Sequence, residues 1–198
     1  MTELEKMVAG KIYNAFDPEI QSLQRRQMEL LDEFNRLGQT DPKRRELFRQ
    51  ICPNANERAY FRGPLYVDYG VNITIGERFY ANYNCTILDV CPVKIGNDVL
   101  FGPNVSINTP LHPLHMDERY IQGGDQEYAK PITIEDGVWL CANVVVCPGV
   151  TIGKGSVIGA GSVVTRDIPE GVLAVGNPCR VLRKIGERDR LANHPELF

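Results

Sequence analysis

Hydrophobic positions in the second half of the chain recur with a period of six. Two interleaved sets of small or aliphatic residues carry the repeat, the second set lying four positions after the first: Ile134, Leu140, Val146, Ile152, Ile158 and Val164, then Val138, Val144, Val150, Ser156, Ser162 and Ile168. An α-helix repeats about every 3.6 residues and an ordinary strand about every 2. A period of six is instead typical of a hexapeptide-repeat β-helix. The pattern therefore predicts an all-β solenoid in which each hexad supplies one short strand and one corner.

The same repeat begins further upstream and is interrupted twice. Two runs are in hexad phase, namely Ile75, Ala81 and Ile87, and then Ile95, Phe101 and Ile107. Between Ile87 and Ile95 the phase slips by two residues, so we expect extra residues to bulge outward near Asp89–Pro92. The second interruption, at 109–131, is polar and contains two of the three histidines. We expect a protruding loop there, and such excursions from a regular scaffold are commonly functional.

The N-terminal part of the chain predicts helices. Thr2 and Glu5 have the spacing of a capping box, and Asp17-Pro18-Glu19 combines a cap acceptor, a first-turn proline and a first-turn acid. Asp41-Pro42 begins a second, shorter pattern of this kind. We therefore divide the chain into an N-terminal helical cap at 1–60, a β-helix with its loop at 61–170, and a C-terminal tail with a short helix at 171–198.

Composition and charge exclude some classes of protein. The formal net charge of −3 provides no general attraction for nucleic acid, whose binders usually present a basic face. No apolar run reaches the ~20 residues of a membrane span, and no basic-then-apolar leader precedes the helices. The cysteines include two pairs six residues apart, Cys85 with Cys91 and Cys141 with Cys147, which place their side chains on different faces of a hexad coil. We expect free thiols and a cytoplasmic protein.

His112 is the first candidate for chemistry. It lies in Asn108–His115, where the solenoid ends a repeat and the loop begins. A histidine titrates near neutral pH and is a natural general base, although a surface histidine between prolines is the plain alternative. His115 is expected to be exposed in the loop, and His194 to be solvated beyond the solenoid.

Two further groups of residues suggest binding. Asn82, Asn84 and Asp89 offer directional donors and acceptors that suit a hydroxyl-rich ligand, or else form an asparagine ladder or a solvated corner. At the end of the solenoid, the segments 159–162 and 176–180 contain small residues. Arg166, Arg180, Arg183 and Lys184 lie in or after these segments. This combination suits a long cofactor with an anionic head, or else reflects surface charges on a tail.

Several motifs between the hexads carry a resemblance to a known family. They are Asp68-Tyr69-Gly70, Ala81-Asn82, Leu88-Asp89-Val90-Cys91-Pro92, His112-Pro113-Leu114, Pro148-Gly149-Val150-Thr151-Ile152-Gly153 and Gly176-Asn177-Pro178. With the hexads, they resemble the maltose/galactoside O-acetyltransferase family over nearly the whole chain, and more the maltose type than the galactoside type. Pro110-Leu111 and a longer loop after His112 depart from the family pattern near the acceptor pocket. The resemblance implies a left-handed parallel β-helix and a homotrimer with active sites between subunits.

The resemblance also implies roles for particular residues. His112 matches the general base, and acetyl-CoA is the implied cosubstrate, with no metal required. The residues implied at or near the acceptor site are Asp68, Tyr80, Asn82, Asn84 and Glu127. The residues implied along the coenzyme A groove are Ala142, Ala160, Thr165, Arg166, Arg180 and Arg183.

The resulting hypothesis is direct acetyl transfer from acetyl-CoA to a sugar hydroxyl, with an oxyanion held by a main-chain N–H near Ala142. An antibiotic or other xenobiotic O-acetyltransferase of the same fold is the runner-up. A zinc hydratase resembling the γ-type carbonic anhydrases would need three histidines on facing walls, and only His112 and His115 lie within the solenoid region. A non-catalytic hexapeptide scaffold is the third class. Exposed flat β walls at the sides of a short solenoid favour association into a closed trimer.

Overall fold

The computed structural model of the chain describes residues 1–119 and 126–197. Residues 120–125 of the predicted loop therefore lie outside the described residues. The N-terminal segment contains α1 (Glu3–Val8), the two-residue strand β1 (Tyr13–Asn14), α2 (Pro18–Arg36) and α3 (Lys43–Ile51).

The helices of this cap begin where the sequence predicts. Thr2 and Glu5 form the reciprocal capping box of α1, and the Asp17 carboxylate accepts the N–H of Glu19 at the first turn of α2. Apolar residues of α2 and α3 join the core of the solenoid, among them Phe34 and Phe48. The two helices therefore close one end of the β-helix, as expected of a cap.

From residue 60 onward the chain winds through three faces. The first face contains β4 (Ile73–Ile75), β7 (Val93–Ile95), β12 (Ile132–Ile134) and β15 (Thr151–Ile152). The second face contains β2 (Tyr60–Phe61), β5 (Tyr80–Ala81), β8 (Leu100–Phe101), β13 (Trp139–Leu140), β16 (Val157–Ile158), β18 (Val172–Val175) and β19 (Arg180–Lys184). The third face contains β3 (Leu65–Val67), β6 (Cys85–Leu88), β9 (Ser106–Asn108), β14 (Val145–Val146) and β17 (Val163–Val164). Except for the antiparallel pair β18–β19, the strands within each face are parallel.

The hexad residues form the core, which confirms the period-six prediction. All twelve residues of the two sets from 134 to 168 are buried, as are the two upstream runs. An aromatic column of Phe48, Phe61, Phe79 and Phe101 continues this core from the cap into the coils, with successive ring centroids 5.0 to 5.3 Å apart. Burial of these side chains is the main stabilising term of the solenoid.

Two corners of the prism matter for function. The loop corner connects the third face to the first and comprises 68–72, 89–92, 109–131, 147–150 and 165–167. The asparagine corner connects the second face to the third and comprises 82–84, 102–104, 141–143 and 159–161, whereas the turn at 176–178 joins β18 to β19 within the second face. At the loop corner, β10 (Pro110–Leu111), α4 (Met116–Arg119) and β11 (Gln126–Ala129) leave the coil, and β11 pairs antiparallel with both β10 and β1.

The structure corrects the prediction of an outward bulge at Asp89–Pro92. The extra residues do leave the coil at this point, but Asp89, Val90 and Cys91 are buried. Val90 and Cys91 belong to a second, small hydrophobic cluster, formed with Met7, Tyr13, Ile20, Tyr69 and Ala129. The phase slip therefore creates a seat for the N-terminal segment instead of a solvated bulge, which also removes Asp89 from the outer surface where the sequence placed it.

The boundary predicted at residue 170 is also too early. β18 continues the second face in parallel with β16, and β19 returns antiparallel to β18. The short helix expected in the tail is a series of three 3₁₀ turns, at Glu187–Asp189, Leu191–Asn193 and Pro195–Leu197. All six cysteines are free thiols, as expected. Over the described part of the chain, we find no helix with the length and apolarity needed to cross a membrane.

Candidate active site

His112 emerges from a firmly anchored part of the loop corner. The hydroxyl of Thr109, which is fully buried, donates to the Leu88 carbonyl at 2.7 Å and accepts the N–H of Cys91 at 3.1 Å. Farther along, Arg119 donates to the carbonyl of Pro113 at 3.0 Å. The imidazole itself is 46% exposed, so a rigid main chain presents a ring that a substrate can reach.

The two ring nitrogens of His112 have different neighbours. Nδ1 lies 3.3 Å from the carbonyl oxygen of Gln126, and Nε2 lies 3.6 Å from Oε1 of Glu127. A carbonyl oxygen can only accept a hydrogen bond, so Nδ1 carries the proton and the lone pair of the neutral ring is on Nε2. This arrangement leaves Nε2 available as a base, with a carboxylate placed to stabilise the imidazolium that forms.

Glu127 is itself held from the opposite side. It lies on β11, directly across from Tyr13 of β1, and the Tyr13 hydroxyl donates to its Oε2. Tyr13 is only 2% exposed, and burial, followed by the contact with Glu127, raises the pKa of this phenol above its ordinary value. The structure thus brings the predicted residues His112 and Glu127 together and adds a tyrosine that sequence reasoning did not identify.

Asp68 lies at the same corner, just after β3. Burial raises the pKa of its carboxyl to about 7, and the neighbouring charges of Asp89 and Glu127 act in the same direction. The Asp89 carboxylate is fully buried and accepts the main-chain N–H groups of Asp68, Tyr69 and Asn72 at 2.9 to 3.2 Å. Asp89 therefore organises the turn that carries Asp68, while Asp68 is placed as a half-buried polar group beside the His112 region.

The other predicted acceptor residues lie elsewhere on the protomer. Asn82 and Asn84 are at the asparagine corner, and the Asn84 amide donates to Asn104, whose amide donates in turn to Asn143, each at 3.0 Å. These three asparagines all have positive φ. The asparagine ladder, the alternative interpretation of these polar residues, is therefore present, and the assignment of Asn84 to acceptor binding stays a prediction. Asn82 accepts the N–H of Tyr83 at 2.9 Å.

Tyr80 belongs to an apolar row along the outside of the second face. Its ring stacks on that of Tyr60 at 6.0 Å. The outward residues in register along this face are Tyr60, Tyr80, Leu100, Trp139, Val157 and Leu173. Tyr60, Leu100 and Trp139 are 45 to 48% exposed. The corresponding row of the first face is polar: Thr74, Lys94, Thr133 and Thr151. The second face of the prism is therefore more apolar on its outer side than the first face.

The predicted coenzyme A residues fall into three places. Ala142 and Ala160 lie at the asparagine corner, and Thr165 and Arg166 are exposed at the far end of the loop corner. Arg180 and Arg183 lie on β19 of the second face. Arg183 donates two hydrogen bonds to Asp189, at 2.6 and 2.8 Å, whereas Arg180 is exposed and donates to the carbonyl of Cys179 at 2.7 Å.

The remaining histidines lie apart from this arrangement. His115 is exposed, as expected, and His194 contacts Glu196 and the carbonyl of Arg188. Within residues 1–119 and 126–197, no group of three or more His, Cys, Asp or Glu side chains has a geometry that could hold a metal ion.

Comparison with known proteins then decides the family. Two family models match: the maltose acetyltransferase hexapeptide capping motif at residues 6–55, and the bacterial transferase hexapeptide at residues 131–166. The galactoside O-acetyltransferase of Escherichia coli is 43% identical over 96% of this chain and 93% of its own length. The chain belongs to the maltose/galactoside O-acetyltransferase family.

Solved structures of this O-acetyltransferase family agree in fold. A maltose O-acetyltransferase from Clostridium difficile superimposes with a TM-score of 0.85 at 42% identity, covering 94% of this chain and 99% of that one. A galactoside acetyltransferase in complex with coenzyme A gives a TM-score of 0.89 at 43% identity, covering 96% and 94%. The predicted family, the left-handed parallel β-helix and the acyltransferase class are thereby confirmed, and the coenzyme A complex agrees with the predicted cosubstrate. The nearly equal identities do not rank the maltose type above the galactoside type.

Sequence reasoning missed Tyr13, Gln126 and the structural role of Asp89. Tyr13 is 114 residues from its partner Glu127, and no local pattern announces a contact at that distance. A carbonyl such as that of Gln126 has no signature at all in sequence. The phase slip near Asp89 is a sequence signal for the structural role of this residue, because residues that leave a hexad coil must be either solvated or covered by another segment.

Proposed function

We propose that this acetyltransferase moves the acetyl group of acetyl-CoA directly to a hydroxyl of a small sugar of the maltose, glucose or galactoside type, with His112 as the general base. The observation that carries the proposal is the asymmetry of the imidazole: Nδ1 lies 3.3 Å from the Gln126 carbonyl oxygen, whereas Nε2 lies 3.6 Å from Oε1 of Glu127 on a ring that is 46% exposed. The activities named for the relatives support the choice of donor and acceptor.

The proposed reaction has two steps at the thioester carbonyl. The sugar oxygen attacks the carbonyl carbon while Nε2 of His112 takes the hydroxyl proton, a contribution of about 10²–10⁴-fold in rate. The tetrahedral oxyanion then collapses, the carbon–sulfur bond breaks, and the imidazolium returns the proton to the leaving thiolate. The products are the O-acetyl sugar and free coenzyme A. Glu127, with Oε1 at 3.6 Å from Nε2, stabilises the transient positive charge on the ring.

We further propose a homotrimer with active sites between subunits. Within one protomer, His112, Asp68 and Glu127 lie at the loop corner, whereas Asn82, Ala142 and Ala160 lie at the asparagine corner. A site that needs both sets therefore needs the asparagine corner of one subunit beside the loop corner of its neighbour. A main-chain N–H near Ala142 would then serve the oxyanion, a type of contact worth roughly 3–4 kcal/mol.

The outward chemistry of the faces supports this assembly. The apolar row of the second face, from Tyr60 to Leu173, is continuous across its strands and includes side chains that are 45 to 48% exposed, and exposed apolar patches commonly mark interfaces. Packing against another protomer would remove it from water, and three-fold closure uses the same contact three times without open-ended growth. Light scattering on the purified protein should give the mass of a trimer.

The cosubstrate is proposed to run from the site toward the end of the solenoid that β19 forms. Ala142 and Ala160 leave room for a thin chain against the backbone, and Thr165, Arg166, Arg180 and Arg183 supply donors for phosphates. Six free thiols suit a reducing compartment, so we place the enzyme in the cytoplasm. No metal takes part in the proposed reaction.

An acceptor panel with detection of released coenzyme A tests the function. Glucose, maltose, galactosides and chitooligosaccharides are the expected acceptors, and chloramphenicol represents the runner-up xenobiotic activity. His112→Ala should lower turnover at least 100-fold while the trimer and coenzyme A binding persist. Turnover near wild type in His112→Ala would refute the assignment of the base. Turnover of chloramphenicol alone among the acceptors would favour the hypothesis of a xenobiotic O-acetyltransferase.

A further inference from the structure

The N-terminal capping segment contributes a strand to the sheet that carries the reactive residues. β1 pairs antiparallel with β11, so that Tyr13 lies opposite Glu127 and Asn14 opposite Gln126. Gln126 and Glu127 both contact the ring of His112. The strand that holds the base is therefore bounded on one side by the loop strand β10 and on the other by the cap.

The contact between β1 and β11 is close and leaves little room for sliding. At Gly10, which has a φ of +70°, an added Cβ would lie 2.6 Å from the carbonyl oxygen of Ala129, the last residue of β11. Cys91 of the loop corner donates to the carbonyl of Val8 at 3.4 Å. The close approach of Gly10 to Ala129 and the bond from the Cys91 thiol to Val8 thus support the register of Tyr13 against Glu127.

Tyr13 and His112 contact different oxygens of the Glu127 carboxylate. Its hydroxyl donates to Oε2, and Oε1 is the oxygen 3.6 Å from Nε2 of His112. A carboxylate on an ethylene stem can rotate and present either oxygen, so an unbonded Glu127 would sample several positions. A buried phenol that binds one oxygen restricts this rotation and directs the other oxygen to the imidazole.

We propose that Tyr13 is a positioning residue for acetyl transfer: it acts through Glu127, holding that carboxylate where it stabilises the protonated His112. The inference rests on the proposed function, and it gives the capping segment a part in the reaction beyond closing the end of the solenoid. In the proposed reaction Tyr13 contacts neither the donor nor the acceptor. Its hydroxyl, and not its ring, carries the effect, because the ring belongs to the small hydrophobic cluster around Met7 and Ile20.

A double-mutant cycle on the full-length enzyme tests the proposal. Tyr13→Phe keeps the buried ring and removes the hydroxyl, and Glu127→Gln keeps the shape of its partner and removes the charge. We expect Tyr13→Phe to lower kcat roughly 10-fold and to leave the KM for acetyl-CoA within about two-fold. In the Glu127→Gln background the same change should cost less than about two-fold in kcat, because the group through which Tyr13 acts has already been altered.

The control is Tyr66→Phe, on an exposed tyrosine of the third face, which should leave kcat unchanged. Equal losses from Tyr13→Phe in both backgrounds would show general damage to the fold and overturn the proposal, as would wild-type kcat in Tyr13→Phe. In either case the activity of the wild type and its loss in His112→Ala would leave the proposed function standing. Failure of the wild type on every acceptor would overturn both.

Discussion

The main-chain N–H of Asp68 donates to the carboxylate of Asp89 at 3.1 Å, so that two acidic residues of successive coils lie one above the other at the loop corner. Burial raises the pKa of Asp68 to about 7 and that of Asp89 to about 6. The hydrogen bonds that Asp89 accepts from main-chain N–H groups limit the rise at that residue. Forming the turn that carries Asp68 therefore removes two carboxyl groups from water, which disfavours their charged forms.

This pair makes the stability of the fold depend on pH. A carboxyl with a raised pKa binds its proton more tightly in the folded than in the unfolded chain, so its favourable contribution is complete below about pH 4 and is lost as the pH rises through about 7. Asp68→Asn removes that loss. We expect the stability of the variant relative to the wild type to rise by about 2 kcal/mol as the pH increases from 5 to 8, given ~1.4 kcal/mol per pKa unit and some screening by water.

Thermal unfolding of both proteins across this pH range checks the prediction. Asp98→Asn is a control of opposite sign, because the ion pair with Arg78 lowers the pKa of Asp98. That substitution should destabilise the protein near neutral pH and become neutral in acid. A difference in Tm between Asp68→Asn and the wild type that stays constant from pH 5 to pH 8 would contradict the assignment.

The parts of this molecule that follow from sequence are those with local rules. Hexad periodicity identifies the buried residues of the coils because each strand and corner obeys the same six-residue geometry. Asp17 and the Thr2–Glu5 pair identify helix starts because caps bond within three residues. His112 stands out because it lies where the repeat stops.

The parts that do not follow from sequence are contacts between distant segments. The pairs Tyr13–Glu127 and Asp68–Asp89 join residues 114 and 21 positions apart. Their formation depends on how the cap seats on the loop corner and on how successive coils stack, which no local pattern states. Asn84 shows the same limit, because polarity at a corner is compatible with a ligand and with a ladder until the neighbouring coil is in place.

Gly70 lies at a close contact between the cap and the coils. It has a φ of +71°, and an added Cβ would lie 1.8 Å from the carbonyl oxygen of Ile51 at the end of α3. Gly70→Ala should therefore cost at least about 3 kcal/mol, through strain and displacement of the helix. Gly161 provides the matched control, since its φ is +70° and nothing lies within 4 Å of an added Cβ.

Gly161→Ala should cost only the backbone term, about 1–2 kcal/mol. Denaturant midpoints for the two variants at one protein concentration separate the steric part from the conformational part. Similar midpoints for both variants would mean that the cap can move away from the coils without lowering the free energy of unfolding.

Asn84 and Asn82 should respond differently to substitution. Asn84→Gly tolerates the φ of +58° at this position and loses the bond to Asn104, so we expect a loss of about 1 kcal/mol in stability with no change in the KM for the sugar. Asn82→Ala should raise that KM several-fold with little effect on Tm. Steady-state kinetics and thermal unfolding measured on the same preparations distinguish the ladder from a ligand contact. A raised sugar KM in Asn84→Gly would instead support the assignment of Asn84 to the acceptor site.

Arg180 and Arg183 should contribute unequally to coenzyme A binding, although they lie on the same strand. Arg183 is already bonded to Asp189 through two hydrogen bonds, and a phosphate would have to compete with that carboxylate. Arg180 is exposed and bonded to a main-chain carbonyl, so a phosphate can bind it without displacing an anion. We expect Arg180→Ala to raise the KM for acetyl-CoA about 10-fold, as for a lost hydrogen bond to a charged group, and Arg183→Ala to raise it less than about three-fold. Asp189→Asn should release Arg183 and lower the KM, and an effect of Arg183→Ala as large as that of Arg180→Ala would show that the ion pair opens when the cosubstrate binds.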